Sequence, residues 1–454
     1  MSRFLDMTSA PAEYANDTDF APSETLVTTP SQATPRSGSQ SAPPDRFRFF
    51  RDVLLLYLFF YCSRVSELVP GMRFAIILLP ILLIGLFLSG RSKAILGMRS
   101  GKALIAFTIW IAACVPTSLW HTGSLRIVRG NIIALLIVVL MAAFIRTVRD
   151  SFRLMYTIGL AMGLVAIMGL IMGRRGGERL GVGESSTLQD PNFFCLYLLV
   201  GVCFLSLSIS VHKGFKRLLS MGLIVLCLGA AARSGSRMGL VAFALTVLMF
   251  FIFGNMRQRI YLVLGCLLLV AVVPPMLPQS VRNRFMILFQ PGESGTKLDA
   301  SAADSAIVRR KLLFRSLQFT FEYPLFGVGP GQFIQAEYDL AKEENRKGMW
   351  MYSHNAYTET SSETGIIGGI LFVVAFFGAQ VGLRRIRKYG PDLLTRRMAL
   401  FTHLALIVAT LCAFFLTLGY SGIIWVLIGT SGTFQLAVAR QAKLAQAHQG
   451  NQSR

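Results

Sequence analysis

From Asp52 onward the chain is a succession of apolar runs, nearly free of charge, separated by short polar or basic turns. About 20 apolar residues in a helix cross the roughly 30 Å hydrocarbon core of a bilayer. Twelve runs approach that length: 52–70, 72–90, 103–120, 129–145, 153–172, 191–211, 218–232, 238–254, 259–277, 363–383, 398–418 and 421–439. The first contains Arg64 and Glu67 and the seventh is short. The pattern predicts an all-α polytopic membrane protein with about 12 transmembrane helices and one long helical extracytoplasmic loop. The expected organisation is a disordered cytoplasmic tail (1–45), a first membrane region of about nine spans (46–277), the loop (278–362), three further spans (363–439) and a second tail (440–454).

Composition agrees, with 53% of the 454 residues hydrophobic and 15% charged. The formal net charge of +22 raises nucleic acid as a partner. Its basic residues, however, are spread over loops and not interleaved with aromatics on one face, so no nucleic acid is expected. The positive-inside rule accounts for most of them. With both termini cytoplasmic, successive inside loops carry Arg91, Lys93, Arg99 and Lys102; Arg146, Arg149 and Arg153; Lys213, Lys216 and Arg217; Arg257 and Arg259; and "LRRIRKYGPDLLTRRM". All seven cysteines fall within predicted spans, which argues against an outer disulfide framework. The Ser-, Thr- and Pro-rich tail holds an Asp17-Thr18-Asp19 triplet, read as coincidence in that context.

A segment as long as 278–362 between spans is usually a folded, functional insertion. Within it "DSAIVRRKLLFRSLQFTFEY" reads as an amphipathic helix, capped by Asp304 or Ser305 and stopped by Pro324. The following "PLFGVGPGQF" lacks the strand–turn–helix setting of a nucleotide loop and is expected to be a tight turn between two helices.

The short outer loops hold Arg64, Arg73, Arg126, Arg129, Arg174, Arg175, Arg179, Arg233 and Arg237 and no lysine. Arginine grips phosphate oxygens with a planar fork where lysine is a point charge, so this bias hints at a phosphate or pyrophosphate ligand. Arginines that snorkel to lipid headgroups are the plainer alternative for any single one. Arg237, in a turn of a few residues between two spans, needs a partner at the membrane surface, and no acid lies near it in sequence. Asp190 followed by Pro191 is a strong helix start, which explains both residues and leaves Asn192 and Arg179 without a structural reason.

These features, in this order, resemble the O-antigen ligase and O-antigen polymerase-like membrane glycosyltransferases. The resemblance covers roughly 179–372: Arg179 ahead of "DPN", "SR" with Gly239, Arg309 about fifteen residues before "PLFGVGPGQF", then "HNAY" and Glu363, Gly365 and Gly368 in "ETGIIGG". Leu313 stands where the family often has an aromatic, and Arg310 directly follows Arg309, so which of the pair faces the site is open. What the resemblance implies is glycan transfer outside the cytoplasm at a bacterial inner membrane. The donor would be a polyprenyl-pyrophosphate-linked glycan and the acceptor a hydroxyl on another glycan or a lipid core. No cofactor and no metal are implied. Arg237 and Arg309, with Arg179, would hold the pyrophosphate. Asn192, Arg310, Asn355 and Tyr357 are the other candidate substrate-binding residues.

The same resemblance makes His354 the candidate base, since a sugar hydroxyl is a poor nucleophile while protonated. If a helix starts near His354, then Asn355, Glu359 and Glu363 share one stripe at i, i+4 spacing. Glu363 is a second catalytic candidate, to orient or replace the histidine, and Glu359 is expected to be structural. A transporter or flippase of lipid-linked saccharides or anions is the rival reading. The scarcity of acids within the spans counts against its ion-coupled form. Ligation, polymerisation and protein glycosylation share the donor chemistry and are not separated by the sequence, and no feature of it indicates an oligomeric state.

Overall fold

The computed structural model describes residues 46–68, 74–173, 179–183, 186–286 and 297–452. The tail expected over 1–45, together with Arg73, Arg174 and Arg175, lies outside the described residues. Sixteen α-helices follow in order: α1 (Arg48–Ser63), α2 (Val65–Leu68), α3 (Phe74–Ser89), α4 (Arg99–Ala113), α5 (His121–Phe144), α6 (Val148–Met172), α7 (Pro191–Val211), α8 (Gly214–Arg233), α9 (Arg237–Phe253), α10 (Met256–Met276), α11 (Gln279–Met286), α12 (Lys297–Glu322), α13 (Phe333–Glu343), α14 (Ala356–Tyr389), α15 (Leu393–Ala413) and α16 (Gly422–Gln452).

Each of the twelve expected apolar runs falls on a helix. Among the described residues nine helices are long and apolar enough to cross a membrane, so the protein is all-α and polytopic. The other three, α1, α3 and α9, have 16, 16 and 17 residues, short of the ~20 that a full crossing takes. α1 also carries Arg51, buried in an ion pair with Asp150 at 2.9 Å. Asp150 is committed twice, because it closes a capping box with Thr147 at the start of α6. A buried charge with one partner removed is costly, so the pair fixes where α1 meets α6.

The bundle is built around α7, whose consecutive residues Leu196 to Val200 are all buried. A helix apolar on every side is one surrounded by others, and α6, α8, α9 and α15 pack against it. At the other extreme α10 has no buried residue. All seven cysteines are free thiols.

Three boundaries differ from the sequence expectation. α12 starts at Lys297, upstream of Asp304 and Ser305, so neither residue caps it. The tail expected over 440–454 continues α16 as helix to Gln452. α14 starts at Ala356, well before the span expected at 363, and departs from helical geometry at Thr364 and Gly365. The early start takes in the polar run "TETSSET", in which Thr360, Ser362 and Thr364 bond carbonyls of their own helix while Thr358 and Ser361 find partners outside it. Ser316 and Thr320 on α12 bond Thr358 and Ser361, both at 2.9 Å.

Candidate functional site

The site is assembled from helix starts. Asp190 caps α7 by accepting from the Asn192 backbone N–H at 2.7 Å, and Pro191 follows where a helix needs no donor. The chain just before it is folded back against the α8–α9 turn, with the Leu180 N–H donating to the Arg233 carbonyl at 3.2 Å. That turn is Ser234–Gly235–Ser236. Gly235 adopts a φ of +57° that other residues rarely take, and Ser236 caps α9 through the Gly239 N–H at 2.9 Å. Arg237 is thereby the first residue of α9.

Side chains then tie the two starts together. Asn192 Oδ1 accepts from Ser236 Oγ at 2.7 Å and from an Arg179 terminal nitrogen at 3.2 Å, while Arg179 Nε donates to the Ser234 carbonyl at 3.2 Å. One amide oxygen, itself 7% exposed as a residue, thus orients Arg179 beside the residue that precedes Arg237.

Arg309, half-buried on α12, lies within electrostatic reach of both Asp190 and Arg237. Burial pulls its affinity for a proton below the ordinary arginine value; Asp190 opposes that and Arg237 adds to it. His354 lies within reach of Arg309 and Asp190. Burial, first, and Arg309, second, hold the imidazole below its usual pKa, with Asp190 acting the other way. The backbone at His354 has φ +54°, a left-handed conformation that a non-glycine residue rarely adopts. Asn355 follows as the cap of α14, accepting from Tyr357 N at 3.0 Å and Thr358 N at 3.2 Å.

Arg309 thus lies within electrostatic reach of Arg237, Asp190 and His354, and Arg179 is tied to the same two helix starts through Asn192 and Ser234. Helix starts carry partial positive charge from unpaired N–H groups, so both the side chains and the backbone favour an anion here. Among the described residues no cluster of three or more His, Cys, Asp or Glu side chains suited to a metal ion is present.

Glu363 is held elsewhere. It is 3% exposed, and its two carboxylate oxygens accept the Gly331 N–H at 2.7 Å and the Phe333 N–H at 3.1 Å. Its carboxylate thus anchors the glycine turn at the start of α13. The turn also fills the break in α14: the Ser362 and Glu363 carbonyls accept from Val328 and Gly329 at 2.9 and 3.0 Å, and Ile366 N–H donates to the Pro324 carbonyl at 2.8 Å. The expectation of a tight turn between helices for "PLFGVGPGQF" matches this arrangement, with Gly327, Gly329 and Gly331 all at positive φ. Glu359, one turn earlier, accepts from Gly419 N at 3.0 Å.

The remaining candidates separate from this centre. Arg310 is exposed and its guanidinium lies 5.7 Å from the Phe314 ring centroid, so of the adjacent pair it is Arg309 that joins the cluster. Tyr357 donates to the Thr410 carbonyl at 3.1 Å and packs on Phe414, in the bundle wall. Arg64 is paired with Glu67 at 2.7 Å, and Arg126 and Arg129 are exposed on α5. Sequence reasoning assigned Asp190 only a capping role and gave Ser236, the serine of "SR", no role of its own. The signal for both was the cap position itself, which places a polar group at the same helix end as the arginines.

The family model of the O-antigen ligases matches residues 222–373. Arg237, Arg309, His354 and Glu363 lie inside the match, whereas Arg179, Asp190 and Asn192 lie before it. No curated protein matches the chain. Among solved structures it is similar to a chain described under "Structural coordination of polymerization and crosslinking by a peptidoglycan synthase complex", at 16% identity over 74% of this chain and 97% of that one. The TM-score of 0.39 is too low for an argument from shared fold. With the apolar helices, the family match supports a glycan-handling membrane enzyme. The protein thus carries an O-antigen ligase family domain over residues 222–373.

Proposed function

We propose that the protein is a metal-independent glycosyltransferase that moves a glycan from a polyprenyl-pyrophosphate donor to an acceptor hydroxyl outside the cytoplasm, as an O-antigen ligase or surface-polysaccharide polymerase does. The observation that carries the reading is that Arg309 lies within electrostatic reach of Arg237, Asp190 and His354, with the Arg179–Asn192–Ser236 network at the same helix starts as Asp190 and Arg237.

In the reaction the acceptor oxygen attacks the anomeric carbon and the bond from that carbon to the pyrophosphate oxygen breaks, leaving the electron pair on the pyrophosphate. Arg237 and Arg309, with Arg179, stabilise the charge that develops there. Guanidinium groups already in place act on the transition state without reorganising, which makes such contacts strong in a site with little water. The proton of the acceptor hydroxyl passes to the His354 ring. Burial and Arg309 favour its neutral form, so it is ready to accept. Both termini lie in the cytoplasm in this reading, and the site faces the opposite side of a bacterial inner membrane.

Purified protein incubated with a polyprenyl-pyrophosphate oligosaccharide and candidate acceptors, in the presence of a metal chelator, tests the proposal. A ladder of products identifies a polymerase and a single shifted lipid band a ligase. An absolute requirement for added divalent metal contradicts the mechanism.

A further inference from the structure

A groove of about 1130 Å³ opens between α8, α9, α10 and α15 and reaches the C-terminal end of α9. Its walls are apolar and extend along α10 from Gln258 to Met276, nearly the whole helix. Its polar end is different. Arg387 from the last turn of α14 and Arg396 and Arg397 from the first turn of α15 line it, and no Asp or Glu is among the lining residues.

Two of these arginines are fixed by the backbone. Arg396 Nε donates to the Gly390 carbonyl at 2.7 Å and Arg397 Nη1 to the Ser210 carbonyl at 3.0 Å. Arg387 lies 4.0 Å from the Phe253 ring centroid. A guanidinium has five N–H donors, so one such contact orients the group and leaves most of its donors for a ligand. Three fixed positive charges without an acid among them, at the mouth of an apolar slot, match an anionic headgroup above hydrocarbon chains. A soluble anion has no use for the apolar walls, and a zwitterionic lipid brings a second cation to a cluster that already lacks anions.

We infer that this groove is a binding site for an anionic glycerophospholipid, its phosphate on Arg387, Arg396 and Arg397 and its acyl chains against α10. The lipid then covers the face that α10, which packs on α9 and has no buried residue of its own, turns to the groove. The inference does not depend on the glycosyl-transfer reading.

The structure supplies a clean perturbation. Gly229 on α8 and Gly265 on α10 both line the groove, and a Cβ added to either meets no atom within 4 Å. Gly229→Leu with Gly265→Leu narrows the slot while leaving every arginine in place. Arg387→Gln with Arg397→Gln removes two charges and leaves the slot open.

Full-length protein extracted gently from a membrane containing phosphatidylglycerol and phosphatidylethanolamine is examined by native mass spectrometry for retained lipid. The expected result is retained phosphatidylglycerol enriched on the order of a hundredfold over its share of the membrane, from about 1 kcal/mol for each of the three arginines. The arginine variant loses about thirtyfold in that preference, from about 1 kcal/mol per arginine, and the leucine variant loses occupancy. Retained lipid that mirrors the bulk membrane, a polyprenyl lipid in place of the phospholipid, or full occupancy in the leucine variant overturns the inference. Should the arginine variant fail to fold, the leucine variant decides alone, since a Cβ at either glycine meets no atom within 4 Å.

Discussion

Arg179 and Ser236 share one acceptor, the side-chain oxygen of Asn192, at 3.2 and 2.7 Å. Asn192 is neutral, so it orients Arg179 without cancelling its charge. Asn192→Asp keeps an acceptor in place but neutralises the guanidinium and sets a negative charge beside the donor. The Michaelis constant for the donor is expected to rise about tenfold or more, since a hydrogen bond to a charged group is worth ~1.5–3 kcal/mol. Thermal stability is expected to be unchanged. An unaltered Michaelis constant, read from steady-state transfer rates, counts against Arg179 as a pyrophosphate ligand.

The pH dependence follows from the neighbours of His354. It accepts a proton only when neutral, and burial and Arg309 both shift its pKa below the ordinary value of about 6.5. Activity should therefore persist as pH falls through the ordinary histidine range and decline only below it, as read in kcat/KM of the free enzyme. Asp190 is the neighbour that raises this pKa. Asp190→Asn removes the charge yet keeps a good helix cap, so the acid limb should move to still lower pH with the fold intact. A limb that moves upward contradicts the assignment.

Glu363 separates a positioning role from a catalytic one. Both of its oxygens accept backbone N–H groups of the glycine turn. Glutamine offers one acceptor and sets an NH2 group against a donor, which costs about 1–3 kcal/mol. Glu363→Gln is expected to lower the melting temperature and reduce turnover modestly while leaving the acid limb where it was. Disappearance of that limb in Glu363→Gln would make Glu363, and not His354, the base.

The break in α14 gives a stability test. Gly365 has φ +71°, and a Cβ there collides with the Leu325 carbonyl of the docked turn. Gly365→Ala is expected to cost more than the ~1–3 kcal/mol of the backbone conformation alone. Gly378, on the same helix with nothing within 4 Å of an added Cβ, is the control. Gly378→Ala should be neutral or slightly stabilising, because alanine is the better helix former by about 1 kcal/mol. Equal melting temperatures for the two variants would mean that the turn is not docked in the break.

Much of the architecture was legible because hydrophobic burial in a bilayer imposes length on the sequence: each expected run lies on a helix. What could not be read was where a polar stretch becomes helix. The span was expected only from 363, yet the helix takes in "TETSSET", and two of its hydroxyls, those of Thr358 and Ser361, are met by α12 more than forty positions earlier. The partners of Glu363 could not be read for the same reason, since the turn residues that bond it are thirty or more positions away in sequence. The arginines were legible as a class, through their preference over lysine in the outer loops. Their sorting was not. Arg64 meets Glu67 and Arg310 meets Phe314, whereas Arg179 and Arg309 meet groups from distant helix starts.

His354→Asn tests the proposed chemistry most directly. Asparagine tolerates the left-handed backbone that His354 adopts, so the loop is kept and only the titrating ring is lost. In single-turnover transfer from a polyprenyl-pyrophosphate oligosaccharide, the rate is expected to fall about a hundred- to ten-thousand-fold, with donor affinity retained. A variant that transfers glycan at the unmodified rate would contradict the role of His354 as the base.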